Sequence, residues 1–251
     1  MDISIRTIED RLFRAWPALT TRYYDGWLLR FANGYTRRSN SVNPVYESSL
    51  DIKHKIIHCE TLYAQEGLPT NFRLTDASLP EDLGAILAQR GYTLKTPTSV
   101  QILDLAQTEP PLDPDLRIDS HLTDRWFAAF TRMNESNPRY LFTMRYMLEL
   151  ISLPVCFILL EQAGETAAAG LAVYDTGYVG LFQIVTDACL RRRGLGTALV
   201  NGLLHWGKSE GAEIAHLQVV PENTPAMKMY EKMGFREIYQ YRYWEKPAPK
   251  G

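Results

Sequence analysis

Seven consecutive residues bring positive charge, glycine and a helix start together: Arg191, Arg192, Arg193, Gly194, Leu195, Gly196 and Thr197. Leu199, Val200, Leu203 and Leu204 follow at the spacing of one helix face. The first amides of a helix have no partner within it, and they stand at the positive end of its dipole. Glycines on either side of Leu195 let the backbone turn tightly and come close to a ligand. Arginines add charge and forked donors. Such a place suits a pyrophosphate. A plain strand-to-helix turn with a solvated basic face has the same composition, so the run needs its context.

That context lies downstream. An apolar strand reads over 214–220, and behind it comes VVPENTPAMKMYEKMGF, which holds Asn223, Ala226, Tyr230, Gly234 and Phe235. Asparagine suits a helix start and glycine its end. The phenol of Tyr230 can donate a proton to a leaving group, or it can fill the core face of its helix.

The two runs resemble the signature of the GCN5-related N-acetyltransferases, over residues 116–246. Arg191 to Gly196 is similar to that family's Arg/Gln-x-x-Gly-x-Gly loop, and Asn223 to Phe235 to its Asn-x-x-Ala-x-x-x-Tyr-x-x-x-Gly-Phe segment. The resemblance implies that acetyl-CoA is the co-substrate and that no metal is needed. Residues 191–197 would hold the pyrophosphate through backbone amides. Ile184, Val185 and Thr186 would pair with the pantetheine arm as an added strand, and one of their amides would face the acetyl oxygen. Asn223 would reach the coenzyme, and Tyr230 would protonate the departing thiolate. The chain departs from the family in two places. Ala188 stands where many relatives carry proline. The strand Gly180 to Val185 has no carboxylate, although some relatives place a glutamate there as base. Glu135, Asp175 and Glu222 are the substitutes to weigh, each against the plainer reading of a solvated acid. Asn134 to Tyr140 corresponds to a loop that helps to shape the family's acceptor pocket.

The elements that must position these residues read in order. After a short strand at 116–118 come helices at 122–133 and 141–150, then strands at 155–160, 167–174 and 178–185. The glycine-loop helix runs to about Glu210, and a helix at 225–233 and a strand at 236–244 end the chain. Strand meander and crossover helices together predict a mixed α/β sheet flanked by helices.

The first half repeats part of this order. It reads as a helix from Ile5 to Leu19, a strand from Gly26 with a turn at Asn33-Gly34, and an extended stretch from Tyr35 to Val42. Helices follow at 49–66 and 80–90, with strands at 71–75 and 100–105. Gly91-Tyr92 follows its helix as Gly234-Phe235 follows the later one. Asn43 to Ser48 replaces the glycine loop, so this half is expected to hold no coenzyme. It reads as a degenerate domain of the same tandem fold, with an unrelated α/β cap as the alternative. Residues 1–107 and 116–246 are the expected domains, and 108–115, rich in proline and acid, the linker. The first half would complete the acceptor cleft, or form an intramolecular pseudo-dimer in place of a homodimer. Arg37, Arg38 and Asn40 could face that cleft; the plainer reading has them paired or solvated.

Composition narrows the rest. A net charge of −2 gives no field that favours nucleic acid or anionic membrane. Cys59, Cys156 and Cys189 have neither disulfide nor zinc spacing. The N-terminus lacks the apolar core of a signal peptide, and no stretch has the length of a membrane span. A soluble, cytoplasmic N-acetyltransferase acting on a small-molecule amine rather than a protein is expected. An acyl-CoA-binding regulatory module, another acyl group or a different acceptor are the alternatives.

Overall fold

A computed structural model describes residues 3–106 and 108–248. The first half contributes α1 (Ile5–Ala15), β1 (Thr20–Tyr24), β2 (Trp27–Phe31), β3 (Val42–Pro44), α2 (Ile52–Gln65), β4 (Thr70–Leu74), α3 (Leu83–Gln89), β5 (Thr93–Leu94) and β6 (Thr98–Asp104). The second contributes β7 (Leu116–Asp119), α4 (Asp124–Met133), α5 (Leu141–Glu149), β8 (Val155–Gln162), β9 (Glu165–Asp175), β10 (Tyr178–Thr186), α6 (Leu195–Ser209), β11 (Ile214–Val219), α7 (Thr224–Lys232) and β12 (Arg236–Lys246). Side chains of Ser4, Asp51, Thr123 and Asn223 cap α1, α2, α4 and α7, which satisfies amides that a helix leaves open.

The strands run β1-β2-β3-β4-β12-β6-β11-β10-β9-β8-β7, with β5 beside β12. Most neighbours are antiparallel. The parallel ones are β3 with β4 and β10 with β11, each joined by one crossover helix, α2 and α6. The mixed α/β sheet expected from the sequence is present. Side chains alternate through the second half's sheet, as strand geometry requires. Phe157, Leu159, Leu171 and Val173 face a core with α1, α4 and α5. Cys156, Ile158, Leu160 and Ala172 face α6 and α7. Helix α6 lies close to the sheet because Gly207 carries no side chain there; a Cβ would stand 2.7 Å from Val179.

The expected boundary near residue 107 separates the halves in sequence but not in the sheet. Strand β6 belongs by sequence to the first half, yet it lies between β11 and β12. In return, Arg242–Lys246 of β12 lie between β4 and β5. Each half completes its sheet with a strand from the other. Helix α1 also packs on the second half's core, through Ile8, Leu12 and Ala15. Gln107, at the expected boundary, lies outside the described residues.

The turn expected at Asn33-Gly34 is present, with φ 50° and 81° and the Tyr35 amide donating to the Ala32 carbonyl. An earlier hairpin, not expected from the sequence, turns at Asp25-Gly26. Tyr24 pairs with Trp27 across it, and both central residues have positive φ, 41° and 83°, as a tight two-residue turn demands. Residues 35–41 are not extended. They form a bend with a 3-10 turn at Arg37–Ser39. Asn40 holds it: its Oδ1 accepts from the amides of Ala32 and Gly34, and its Nδ2 donates to the carbonyls of Tyr35 and Thr36.

Candidate active site

β10 and β11 run side by side from Tyr178 and Ile214 to Leu181 and Leu217, and then part. Beyond that point β10 pairs only with β9, and β11 only with β6. An extra residue in β10 marks the divergence: Gln183 has φ 52°, and the register with β9 shifts between Phe182 and Val185. Such a bulge bends and twists a strand. The edge of β10 beyond Leu181 is therefore left without a neighbouring strand. Two cavities meet at the opening.

One cavity, of about 610 Å³, lies between β10, the start of α6 and the start of α7. Ile184, Val185 and Thr186 line it, with Arg191, Arg192, Gly194, Leu195, Gly196, Thr197, Asn223 and Tyr230. Every residue expected at a coenzyme lines this cavity except Arg193, which is exposed outside it. Gly194 precedes α6 in the left-handed conformation, φ 80°, and no side chain caps the helix. Arg192 is also left-handed, φ 64°. A Cβ on Gly196 would stand 3.2 Å from the Met229 sulfur and 3.5 Å from the Thr186 hydroxyl, so its absence keeps the cradle open. The approach to the loop is fixed by Asp187. Its Oδ2 holds Arg132 at 2.8 Å and its Oδ1 accepts from the amide of Cys189. The Arg132 bond, then the Cys189 amide, lower its pKa from the ordinary carboxylate value.

The second cavity, of about 580 Å³, lies on the other side of the opening. β10 and β11 line it from Leu181 to Ile184 and from Leu217 to Val220, with Phe130 and Asn134 of the second half. Thr36, Arg37, Arg38, Thr96 and Thr98 come from the first half, and Tyr241 and Tyr243 from the exchanged strand β12. Arg37 and Arg38 stand at this cleft as the sequence allows; the threonines, Gln218 and the two tyrosines line it without having been expected there. The every-second-residue spacing of Tyr239, Tyr241 and Tyr243 was the signal available for the latter. Asn40 does not line the cavity; it shapes the loop that does.

Ile184, Asn223, Ala226 and Tyr230 line both cavities. Asn223 caps α7 through its Oδ1, which accepts from the Ala226 amide at 3.3 Å; its Nδ2 takes no part in the cap. Tyr230 is almost fully buried, edge-on to Phe235 at 5.6 Å between ring centroids. Burial pushes its phenol up to about 12, so it carries its proton throughout the neutral range.

The three carboxylates offered as bases line neither cavity. Asp175 is buried at the β9–β10 hairpin, away from the opening, and is bound to Arg14 at 2.7 Å. Glu135 and Glu222 are exposed. Among the described residues, no group of three or more His, Cys, Asp or Glu side chains is placed to hold a metal ion.

The first half shows the same crossover with a different start. At α2, Asp25 accepts from the amides of Ser49 and Leu50, and Asp51 accepts from that of His54. Carboxylates of the chain itself stand where α6 leaves its amides open.

Comparison with known proteins agrees with this geometry. A family model described as "Probable histone acetyltransferase Rv0428c C-terminal" matches residues 3–244. A Bacillus subtilis protein named as an uncharacterized N-acetyltransferase, YobR, is 30% identical over 249 residues, 95% of this chain and 97% of that one. Among solved structures, a GCN5-related N-acetyltransferase from Kribbella flavida superposes with a TM-score of 0.72 at 14% identity, covering 100% of this chain and 97% of its own. A tandem GNAT protein from the clavulanic acid biosynthesis pathway superposes with a TM-score of 0.62 at 14% identity, over 84% of this chain and 76% of its own.

Proposed function

The chain belongs to the GCN5-related N-acetyltransferase family, and we propose that it transfers the acetyl group of acetyl-CoA directly to a small primary amine, with Tyr230 as general acid. One observation carries this reading: Tyr230 stands where a donor-side cavity and an acceptor-side cavity meet. A group at that junction touches whatever passes between them.

The donor side fits coenzyme A. Its uncapped helix start, left-handed Gly194 and side-chain-free Gly196 suit a pyrophosphate, and Arg191 and Arg192 add charge. The open edge of β10 offers backbone groups to a ligand that carries amides. When bound, the coenzyme supplies an activated acetyl thioester. The chain's residues do the rest. Amides of Ile184 to Thr186 donate to negative charge that develops on the acyl oxygen. Tyr230 gives its proton to the departing sulfur. Amine and thioester held on either side of one junction gain rate from proximity.

The acceptor side is walled by the first half through Thr36, Arg37, Arg38 and Thr96. A cleft of this size suits a small molecule, although the family description names a probable histone acetyltransferase. The exchanged strands make one chain a pseudo-dimer, so a monomer suffices for a complete site. Three unpaired thiols, Cys59, Cys156 and Cys189, suit a reducing compartment such as the cytoplasm. No described helix is long and apolar enough to cross a membrane.

Release of free thiol from acetyl-CoA, followed over a panel of amines, tests the reading. Turnover with an amine, and slower turnover with longer acyl groups, is expected. Tight acetyl-CoA binding with no turnover on any acceptor would make the chain a binding module instead.

A further inference from the structure

The acceptor-side cavity is polar and carries charge of one sign. Among its described lining residues are two arginines and no Asp, Glu or Lys. The two arginines differ. Arg37 is spent on Glu245, 3.1 Å from its Nε, and Glu245 also holds Lys95 at 3.1 Å. Arg38 is half-buried, and among the described residues no carboxylate lies within 4.0 Å of it. Its guanidinium lies 5.0 Å from the centre of the Trp16 ring. Trp16 in turn stacks on Phe182 of β10, one residue before the bulge. Arg38 is thus tied through one ring to the strand that faces the donor.

The charge behind the wall has the same sign. Arg30 and Arg73 are buried beside Arg38, around a small void lined also by Trp16 and Gln218. Glu9 is held by Arg73 as a bidentate pair and by the Tyr239 hydroxyl. Among the described residues no carboxylate pairs with Arg30, which donates to the carbonyls of Trp16 and Arg38. Among those residues, three cations therefore share one anion here. Buried charges are normally paired, and the missing negative charge on this wall is the partner that a ligand would bring. A guanidinium binds a carboxylate through two parallel hydrogen bonds.

We propose that the acceptor is an amine that also carries a carboxylate, and that Arg38 is the residue that selects for it. This rests on the reading above of which cavity admits the acceptor. The amine would lie toward Tyr230 and the carboxylate toward Arg38, so the substrate class is an amino carboxylate, of which amino acids are the simplest members.

The test uses the whole chain and matched acceptors: amino acids, their carboxamides, and the same amines without the carboxyl group. A kcat/KM preference of about 10- to 100-fold for the carboxylate is expected, the range for a charged hydrogen bond. Arg38→Gln should abolish that preference, Arg38→Lys should restore part of it, and neither should change the KM for acetyl-CoA. Equal turnover of acid and amide by the parent enzyme, or a preference that survives in Arg38→Gln, overturns the proposal while acetyl-CoA turnover itself stands. A phosphate-bearing amine that outperforms every carboxylate also overturns it. Calorimetry with N-acetyl amino acids and their amides supplies a readout without turnover: binding of the acid alone, lost in Arg38→Gln, supports the proposal, and no discrimination sinks it. Absence of acetyl-CoA binding in the same instrument is a separate failure, that of the donor assignment.

Discussion

The Nε2 of Gln183 donates a hydrogen bond to the hydroxyl of Tyr35, 3.0 Å away. The bond joins the two halves at the bulge where β10 leaves β11. Its donor belongs to the strand proposed to receive the coenzyme. Its acceptor belongs to the bend that Asn40 organises, and that bend also carries Arg37 and Arg38. A second link, from Asn33 to the Thr143 hydroxyl at 3.2 Å, ties the same bend to α5. These two bonds tie the first half's bend to β10 and α5, and so fix where its arginines stand relative to the proposed reaction centre.

Tyr35→Phe removes that bond and keeps the ring against Tyr140. A half-buried donor left without its partner loses up to about 1–3 kcal/mol. The kcat/KM for the amine should fall about 5- to 50-fold, with acetyl-CoA affinity unchanged. Steady-state kinetics with each substrate varied in turn checks this. An equal loss on the donor side would mean that the bond holds β10 itself rather than the acceptor wall.

Tyr230→Phe removes the proton donor and keeps the packing against Phe235. Positioned acid catalysis contributes about 100- to 10,000-fold, so kcat should drop within that range while acetyl-CoA binding stays. The parent enzyme makes a linked prediction. Because burial raises the Tyr230 phenol to about 12, it stays protonated as pH rises through 10. The kcat profile should show no alkaline fall from this group below about pH 11. A descending limb near pH 10 that vanishes in Tyr230→Phe would assign a different environment to the hydroxyl.

Gly196→Ala probes the cradle. A Cβ there meets the Met229 sulfur and the Thr186 hydroxyl, between the end of β10 and α7. Alanine favours a helix over glycine by about 1 kcal/mol, so the fold should hold or gain. The dissociation constant for acetyl-CoA should rise about tenfold or more with the melting temperature unchanged or higher. Calorimetry alongside a thermal melt separates the two effects. Undiminished affinity would place the pyrophosphate elsewhere.

Much of this site was legible in the sequence because it depends on local chemistry. Glycines that admit a left-handed turn, an uncapped helix start, an asparagine cap and a helical tyrosine all lie within two short runs, and the structure brings both runs to one opening. The acceptor wall was only partly legible, since it is assembled from residues far apart in the chain. Thr36 and Tyr243 meet only because β12 crosses into the first half's sheet. Strand exchange of that kind leaves no mark on periodicity: β6 and β12 read the same whichever half they join. The hairpin at Asp25-Gly26 did carry a local signal, the Asp-Gly pair. The strand before it is harder to read, because Thr20 to Tyr24 is exposed and lacks alternating burial.

Asp25 accepts from the amides of Ser49 and Leu50, in the approach to the first half's crossover helix. The amide of Leu50 and then that of Ser49 hold its carboxylate well below the usual range, and Lys55 lies 3.0 Å away. A depressed carboxylate pKa means that its stabilisation is complete above the unfolded value, about 3.9, and is lost as pH falls toward the folded one. Asp25→Asn, which tolerates the left-handed turn, should therefore melt at a lower temperature than the parent at pH 7. The gap should narrow as pH falls below about 4. Thermal melts over pH 3–8 show this; a gap that is constant with pH would mean that the loss is not one of charge.

The strand exchange makes a prediction about the whole chain. A fragment of residues 116–248 contains both sequence motifs and every residue that lines the donor cavity. It lacks β6, which separates β11 from β12, and α1, whose Ile8, Leu12 and Ala15 are buried in the core beneath β9 and β10. Removing them exposes that apolar face and leaves the edge of β11 unpaired, a template for association. The fragment should be unfolded or aggregated, and the full chain should unfold in one cooperative step, with calorimetric and van't Hoff enthalpies in agreement. Adding back the peptide 1–106 should restore a folded complex, because every exchanged contact is noncovalent. A fragment that melts cooperatively alone and binds acetyl-CoA as the full chain does would show that the exchange is dispensable. The first half would then be an accessory to the acceptor wall and not part of the fold that carries the donor site.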